Sequence, residues 1–340
     1  MPPTVESLEA PIIDATGPAV ADEARRGLTS RPKLLAPWLF YDEAGSRLFE
    51  QITTLPEYYL TRTERAIFTT YADEIFRTID ADLTLVELGA GTASKTGILL
   101  RALARRQPAV LYQPIDISPS ALDEARTQLE RDLPGVAVRP CIANYITDAI
   151  HIERPPHSKI LALYIGSNIG NFAPTESRAI LHRLRSQLEA GDGLLLGADL
   201  APGLVSNGSG KSVATLLAAY NDAAGVTAAF NHNLLIRLNR ELGANFQLEW
   251  FAHRALWNPI HSRIEMHLAS LAKQSVQIPA NSAGTDLTVH FAPGETIHTE
   301  NSYKFTPTAL ADLLTGARFT PTRTFTDPQS LFAVTLAEAT

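Results

Sequence analysis

Four apolar runs, LTLVEL, VLYQPIDI, ILALYIG and LLLGADL, recur between residues 83 and 200, with stretches of helical spacing between them. Strands that are apolar at nearly every position must be covered on both faces, and strand-helix-strand order joins parallel neighbours through crossover helices. The pattern constrains the chain to an α/β fold with a parallel sheet and helices on both sides. Ahead of it, Ile67, Tyr71, Ile75 and Ile79 mark one face of a helix. After the first run Ser94 can cap a helix that buries Ile98, Leu99, Ala102 and Leu103. Ser118 and Pro119 suit the N-cap and N1 positions of the next, with Leu122, Ala125 and Leu129 inward. A further strand is expected near VAVRPCI, a helix over residues 175–188, and a turn at Gly191-Asp192-Gly193.

The rhythm changes between about 203 and 304. A helix carrying Tyr220 is followed by two-residue alternation in RIEMHLAS and DLTVHF, as in antiparallel strands with one wet face. This segment reads as an insertion that caps the sheet. Residues 305–340 add one helix and two strands, TPTRTFTD and LFAVTLA, that can finish the sheet, and the Pro-rich first residues read as loose. With 45% apolar residues and 340 in all, the chain can fill a large core; its formal charge of −7 gives no basic footprint for nucleic acid or anionic lipid. Cys141 is the lone cysteine, and no CxxC, HExxH or EF-hand pattern occurs, so neither a disulfide framework nor a familiar metal site is expected. No signal sequence and no apolar run of roughly 20 residues is present, which leads to the expectation of a soluble, cytoplasmic protein.

The first apolar run ends in VELGAGTASKT, residues 86–96, where Gly89 and Gly91 lie at a strand-to-helix turn that lets a ligand approach the backbone. A dinucleotide fingerprint requires a third glycine where Ser94 stands, so a phosphate cradle is disfavoured. The later NGSGKS ends like a phosphate-binding loop but has Val205 where that motif needs glycine, and it is read as a flexible loop. Glu87 and Asp116, at the ends of successive strands, can accept from ribose hydroxyls, suit a cationic sulfonium and would repel phosphate. S-adenosylmethionine fits this turn better than a nicotinamide dinucleotide. Spacing alone leaves open that these acids only cap turns.

Seven segments, YDEAGSRLFEQITTLPEYYLTRTE, VELGAGTASKT, IGSNIGNFAP, AAYNDAAGVTAAFN, NRELGANF, RIEMHL and HTENSYKF, occur in an order that resembles the L-histidine Nα-methyltransferases of ergothioneine biosynthesis. The resemblance runs from about residue 25 to the C-terminus. It implies a class I, Rossmann-like S-adenosylmethionine-dependent methyltransferase domain over 67–202 plus 305–340, and an α+β substrate-binding domain from 10–66 plus 203–304. The cofactor would lie over Gly89 and Gly91, near Glu87, with Lys95 and Asp116 among its contacts. Where that family usually has an acid followed by an aromatic at the adenine, this chain has Asn144-Tyr145, and the asparagine is expected to keep an acceptor oxygen for the adenine amine.

For the substrate, the resemblance implies that Tyr58, Asn171 and Tyr220 clamp the carboxylate and α-amine of L-histidine, with Tyr58 and Asn171 closest to the chemistry. Asn171 also follows ILALYIG at its carboxyl end, where open α/β sheets place ligands, and Gly166 and Gly170 let backbone come close. Glu300 and Ser302, if extended, share one face about 6.6 Å apart. A carboxylate there can accept from an imidazole N–H while the hydroxyl complements the other nitrogen. Met266 alternates with Ile264 and Leu268, a core pattern, and the resemblance sets it against the substrate ring; Thr227 and Tyr41 complete the set. The implied reaction is in-line methyl transfer to the α-nitrogen, repeated to a trimethylammonium. Positioning supplies most of the rate; an α-amine titrates at about pH 8 in model peptides, so a neutral fraction exists at mildly alkaline pH, and no general base is assigned beyond a proton path through Tyr58 and water. The resemblance favours a monomer. Rivals are an α-N-methyltransferase for another aromatic amino acid such as tryptophan, a non-catalytic S-adenosylmethionine and amino-acid sensor, and a nicotinamide oxidoreductase. Met266 and Glu300 weigh against the first and Ser94 against the last.

Overall fold

The computed structural model describes residues 17–148, 150–203, 210–280 and 285–340. The loose opening expected for the first residues lies outside them, as do Asn207, Gly208 and Ser209 of the expected loop. Helix α1 (Gly17–Thr29) leads to a two-residue strand β1 (Lys33–Leu34), and α2 (Glu43–Thr54) begins where the Asp42 carboxylate accepts from Gly45 N–H at 2.7 Å. Helix α3 (Tyr59–Arg77) then buries Ile67 and Ile75 as the periodicity requires. It starts eight residues before the expected domain boundary at 66/67, which therefore falls inside one continuous helix.

Strand β2 (Asp82–Leu88), α4 (Thr96–Arg106), β3 (Val110–Asp116) and α5 (Pro119–Asp132) follow the expected alternation. Ser118 caps α5 as read, accepting from Ala121 N–H at 3.3 Å. Ser94 does not cap α4. Lys95 takes the N-cap position without a side-chain bond, because Ala93 enters the left-handed region (φ 52°) and carries the turn one residue further. The strand expected at VAVRPCI breaks at Arg139-Pro140 into β4 (Val136–Val138) and β5 (Cys141–Ile142), since proline has no N–H for the ladder. Strand β6 (Ser158–Tyr164), α6 (Pro174–Arg185) and β7 (Gly193–Asp199) complete the parallel part.

The insertion opens with α7 (Val213–Ala218), capped by Ser212, and α8 (Val226–Leu242). Tyr220 lies between these helices rather than on one, a correction to the expected helix. Strands β8 (Phe251–Asn258), β9 (Arg263–Ser270), β10 (Gln274–Ile278), β11 (Leu287–Phe291) and β12 (Thr296–Tyr303) come next. They form a sheet β1-β12-β9-β8 and a hairpin β10-β11. Finally α9 (Pro307–Gly316), β13 (Phe319–Thr326) and β14 (Phe332–Ala339) return to the main sheet, whose order is β13-β14-β7-β6-β2-β3-β4 with β5 also on β3. Strands β2 to β7 are parallel; β14 and β13 are antiparallel and close the edge.

Two cores follow from the pleat. Leu83 and Leu85 face a cluster with α3 and α4, while Val86 and Leu88 face one with Ile180, Leu181, Leu310 and Leu314 of α6 and α9. Among the described residues no helix is long and apolar enough to cross a membrane.

Candidate active site

The carboxyl ends of β2, β3, β6 and β7 open on one edge, where a parallel α/β sheet gathers its ligands. At the end of β2, Gly89 (φ 69°) and Gly91 (φ 52°) adopt the left-handed backbone that glycine tolerates best. A side chain at Gly91 would meet nothing within 4 Å, whereas one at Gly89 would lie 3.1 Å from Asn168 Nδ2 and 3.5 Å from the Tyr145 ring. The turn is therefore open at one glycine and walled at the other. Gly89 and Ala90 N–H both donate to Ile115 C=O, at 2.9 and 3.2 Å, and Gly91 N–H donates to Asp116 Oδ2 at 2.9 Å. With those amides occupied and a carboxylate among them, the turn holds no phosphate cradle. It suits an uncharged, hydroxyl-bearing sugar and a cationic centre.

Asp116 is half-buried and each of its oxygens accepts one backbone N–H, from Gly91 and Ser118, leaving lone pairs for hydroxyls. Glu87 is buried beneath the turn, where its Oε2 accepts from Thr96 Oγ1 at 2.7 Å and from the Tyr112 hydroxyl, and it is pushed up to about 7 by desolvation against those hydrogen bonds. That oxygen braces the turn from below. Lys95 reaches Glu64, a fully buried carboxylate on α3 that also accepts from Gly166 N–H at 2.9 and 3.1 Å. This pair ties the glycine turn to the loop after β6. Asn144 Oδ1 accepts from Ile146 N–H at 3.0 Å, which leaves it one lone pair, while its Nδ2 is buried with no partner. The side chain thus offers an unpaired donor beside an acceptor already half used. Tyr145 beside it packs edge-on to Tyr164, 5.6 Å between centroids.

Tyr41, Tyr58, Gly166, Asn171, Tyr220, Thr227, Met266, Glu300 and Ser302 all line one cleft. Its floor is the loop after β6, where Gly166 (φ 80°) turns into the 3₁₀ segment Asn168–Asn171. Gly170 is needed there, because any side chain would sit 2.7 Å from Tyr303 C=O of β12. Tyr58 stands at the start of α3 and Tyr220 after α7, their rings edge to face at 6.2 Å. Thr227 begins α8, which Asp222 caps by accepting from Val226 and Thr227 N–H at 2.9 and 2.8 Å. The buried Thr227 Oγ1 has no hydrogen-bond partner; against desolvation, the Thr227 and Val226 N–H groups hold the Asp222 carboxyl below its ordinary value.

A bulge aims the far wall. His298 pairs with His267 on the outer face, but Glu300 pairs with Met266 and Ser302 with Ile264, so Thr299 is the extra residue. Its hydroxyl donates to Met266 C=O at 3.0 Å. Without that insertion Glu300 would follow His298 to the outside. Burial pushes the Glu300 carboxyl up to about 7, with Lys304 pulling the other way. Tyr41 stands at the mouth, 40% exposed.

A sequence profile for histidine-specific, SAM-dependent methyltransferases matches residues 20–339. The chain belongs to that family. Histidine N-alpha-methyltransferase of Mycolicibacterium smegmatis is 41% identical over 95% of this chain and 96% of its own length; the protein of the same name from Mycobacterium tuberculosis is 40% identical over the same shares. Ergothioneine biosynthesis protein 1 of Neurospora crassa is 30% identical over 72% of this chain, which covers 28% of that protein. As a member of the histidine-specific methyltransferase family, the chain is an S-adenosylmethionine-dependent enzyme with a Rossmann-like sheet.

Three residues of this methyltransferase escaped the sequence reading. Asn168 sits between Gly89 and Gly166, within 3.1 and 3.3 Å of where their side chains would begin, and lines the cleft where the half-sites meet. The doubled asparagine in GSNIGN was its one signal. Asp199 and Lys304 form a fully buried ion pair at 2.8 Å behind Tyr220 and Ser302. Nothing local announces a pair 105 residues apart, though a lysine next to an apolar strand end is a hint.

Proposed function

We propose that this chain trimethylates the α-nitrogen of L-histidine to give hercynine, histidine betaine. The observation that carries the reading is the convergence of an amino-acid clamp and an imidazole-sized polar pair on one cleft beside the glycine turn. Bound at that turn, the sulfonium of S-adenosylmethionine supplies an activated methyl group. Gly91 and Asp116 are suited to its sugar, and Tyr145 with Asn144 to its base.

The chain's own groups orient the amine. Asn171 and the hydroxyls of Tyr58 and Tyr220 are neutral and can bind a zwitterion without neutralising it. Burial first, then Tyr220 and Glu300, keep the Tyr58 phenol well above its ordinary value. It stays protonated near neutrality and takes no proton by ionising. The neutral fraction of the α-amine, titrating near about 8, suffices. Glu300 and Ser302 hold the ring, while the aromatic walls of Tyr58, Tyr220 and Phe230 exclude water and accept the growing cation on their faces. We further infer that the β1-β12-β9-β8 sheet with α2, α7 and α8 works as the substrate-binding unit; β1 and β12 join the N-terminal segment to the insertion.

Incubation with histidine and S-adenosylmethionine should yield a product heavier by three methyl groups in mass spectrometry. Methylation of tryptophan in its place, or binding of both ligands with no product, would overturn the reading. For the cofactor site, Asn144→Asp keeps the acceptor for Ile146 N–H and replaces an unpaired buried donor by an acceptor. S-adenosylmethionine should bind about tenfold tighter to the variant, since an unsatisfied buried polar group costs about 1–3 kcal/mol. Calorimetric titration checks this; weaker binding would mean that the amide donor contacts the base.

A further inference from the structure

Behind the cleft, Lys304 Nζ lies 2.8 Å from each of three oxygens: Asp199 Oδ2, the Tyr220 hydroxyl and Ser302 Oγ. Its side chain and that of Asp199 are fully buried. An ammonium has three N–H donors and no acceptor, so all three are spent and Lys304 itself has none left for a substrate. Tyr220 and Ser302 are in turn 2.8 Å apart and share one hydrogen. Each hydroxyl has two lone pairs and one hydrogen. With Lys304 donating to both, and one hydroxyl donating to the other, the pair shows a ligand a single free hydrogen and a single free lone pair. A phenol is the stronger acid and an alkyl hydroxyl the stronger base, so Tyr220 donates to Ser302. Both lone pairs of Ser302 are then filled.

We propose that Lys304 is a positioning residue that fixes Ser302 as a pure hydrogen-bond donor toward the substrate ring. This rests on histidine being the substrate. A neutral imidazole carries one N–H and one bare nitrogen, and the wall then meets it with one acceptor, Glu300, and one donor, Ser302. Without Lys304 the serine has a vacant lone pair and its hydrogen can turn to Tyr220, so the complement to the bare nitrogen is lost. The charge of Lys304 also draws Glu300 down against its burial, toward the form that accepts. Anchoring falls to Asp199, held from the other side by Lys211 and by the Tyr59 hydroxyl at 2.8 Å.

The test is a double-mutant cycle between Lys304→Met and Ser302→Ala, read as the histidine KM. Lys304→Met leaves Asp199 paired one-to-one with Lys211 and should fold, with unchanged S-adenosylmethionine affinity. It should raise the histidine KM about tenfold or more, the weight of a charge-assisted hydrogen-bond arrangement, with kcat altered far less. In the Ser302→Ala background the same substitution should raise KM much less than in the wild type, leaving only the effect of Lys304 on Glu300 and Tyr220, since coupled residues are non-additive. Lys304→Gln, with two N–H donors and no charge, should raise KM less and likewise lose most of its effect once Ser302 is gone, which keeps the test available if the methionine variant is insoluble. Effects of Lys304 and Ser302 that multiply would overturn the inference while leaving histidine methylation intact. A wild-type protein that does not methylate histidine would overturn both.

Discussion

Glu300→Ala is expected to lower kcat/KM for histidine about a thousandfold, because sites built to hydrogen-bond a substrate discriminate by about 10⁴ against partners that cannot make the bond. The effect should lie mainly in KM. Glu300 is aimed at the cleft by the bulge at Thr299 and faces Met266 across the ladder, so its removal leaves an apolar methionine wall where the ring N–H must be buried. An imidazole then loses its acceptor, whereas phenylalanine and tryptophan lose little. Discrimination of histidine over phenylalanine, measured as a ratio of kcat/KM values, should collapse. An unchanged ratio would remove Glu300 from ring recognition.

The same carboxyl sets a pH dependence. Pushed up to about 7, Glu300 is largely protonated at pH 6 and ionised at pH 8. Only the ionised form offers every lone pair to the ring N–H, so wild-type kcat/KM should rise through pH 7. The α-amine adds a second rise toward 8 as it loses its proton. Glu300→Gln retains a carbonyl acceptor without a titration and should keep only the second rise, at lower overall efficiency.

Much of this wall was legible beforehand. Two-residue spacing puts Glu300 and Ser302 on one face of their strand, and the alternation of Ile264, Met266 and Leu268 puts Met266 with its two neighbours on one face of theirs, because the pleat has no other period. Which faces meet was not legible. The bulge that turns Glu300 inward has no local signal, since Thr299 looks like any strand threonine. Gly89 and Gly91 announced a close approach, yet the fate of Glu87 depended on Tyr112 from the neighbouring strand and Thr96 from the next helix, which no spacing rule joins to it. Ser94 failed as a cap for a related reason: the left-handed Ala93 moved the helix start, and propensity at one position could not foresee it. Ion pairs across the insertion were invisible, since charge pattern reads only near neighbours along a helix or strand.

Asp199→Ala should be the most damaging single change to stability, costing about 3–5 kcal/mol out of a total of roughly 5–15. Asp199, Lys211 and Lys304 all have fully buried side chains, and the one carboxylate pairs with both ammonium groups. Removing the carboxylate leaves two ammonium groups and the Tyr59 hydroxyl with no acceptor of matching charge. Lys304→Met, by contrast, leaves Asp199 paired with Lys211, and the two changes bracket the role of the pair. The loss should soften with pH. Desolvation already draws Lys211 down to about 8 even with Asp199 attracting a proton to it, and without that carboxylate the folded variant sheds the proton more readily still. Between the folded value and the ordinary lysine range near about 10.4 the unfolded chain binds more protons than the folded one, so stability of the variant rises with pH there. Urea unfolding at pH 7 and pH 9 measures both effects. A loss below about 1 kcal/mol at pH 7, the size of a typical surface change, would mean that water reaches the cluster and that its charges are not held in a dry interior.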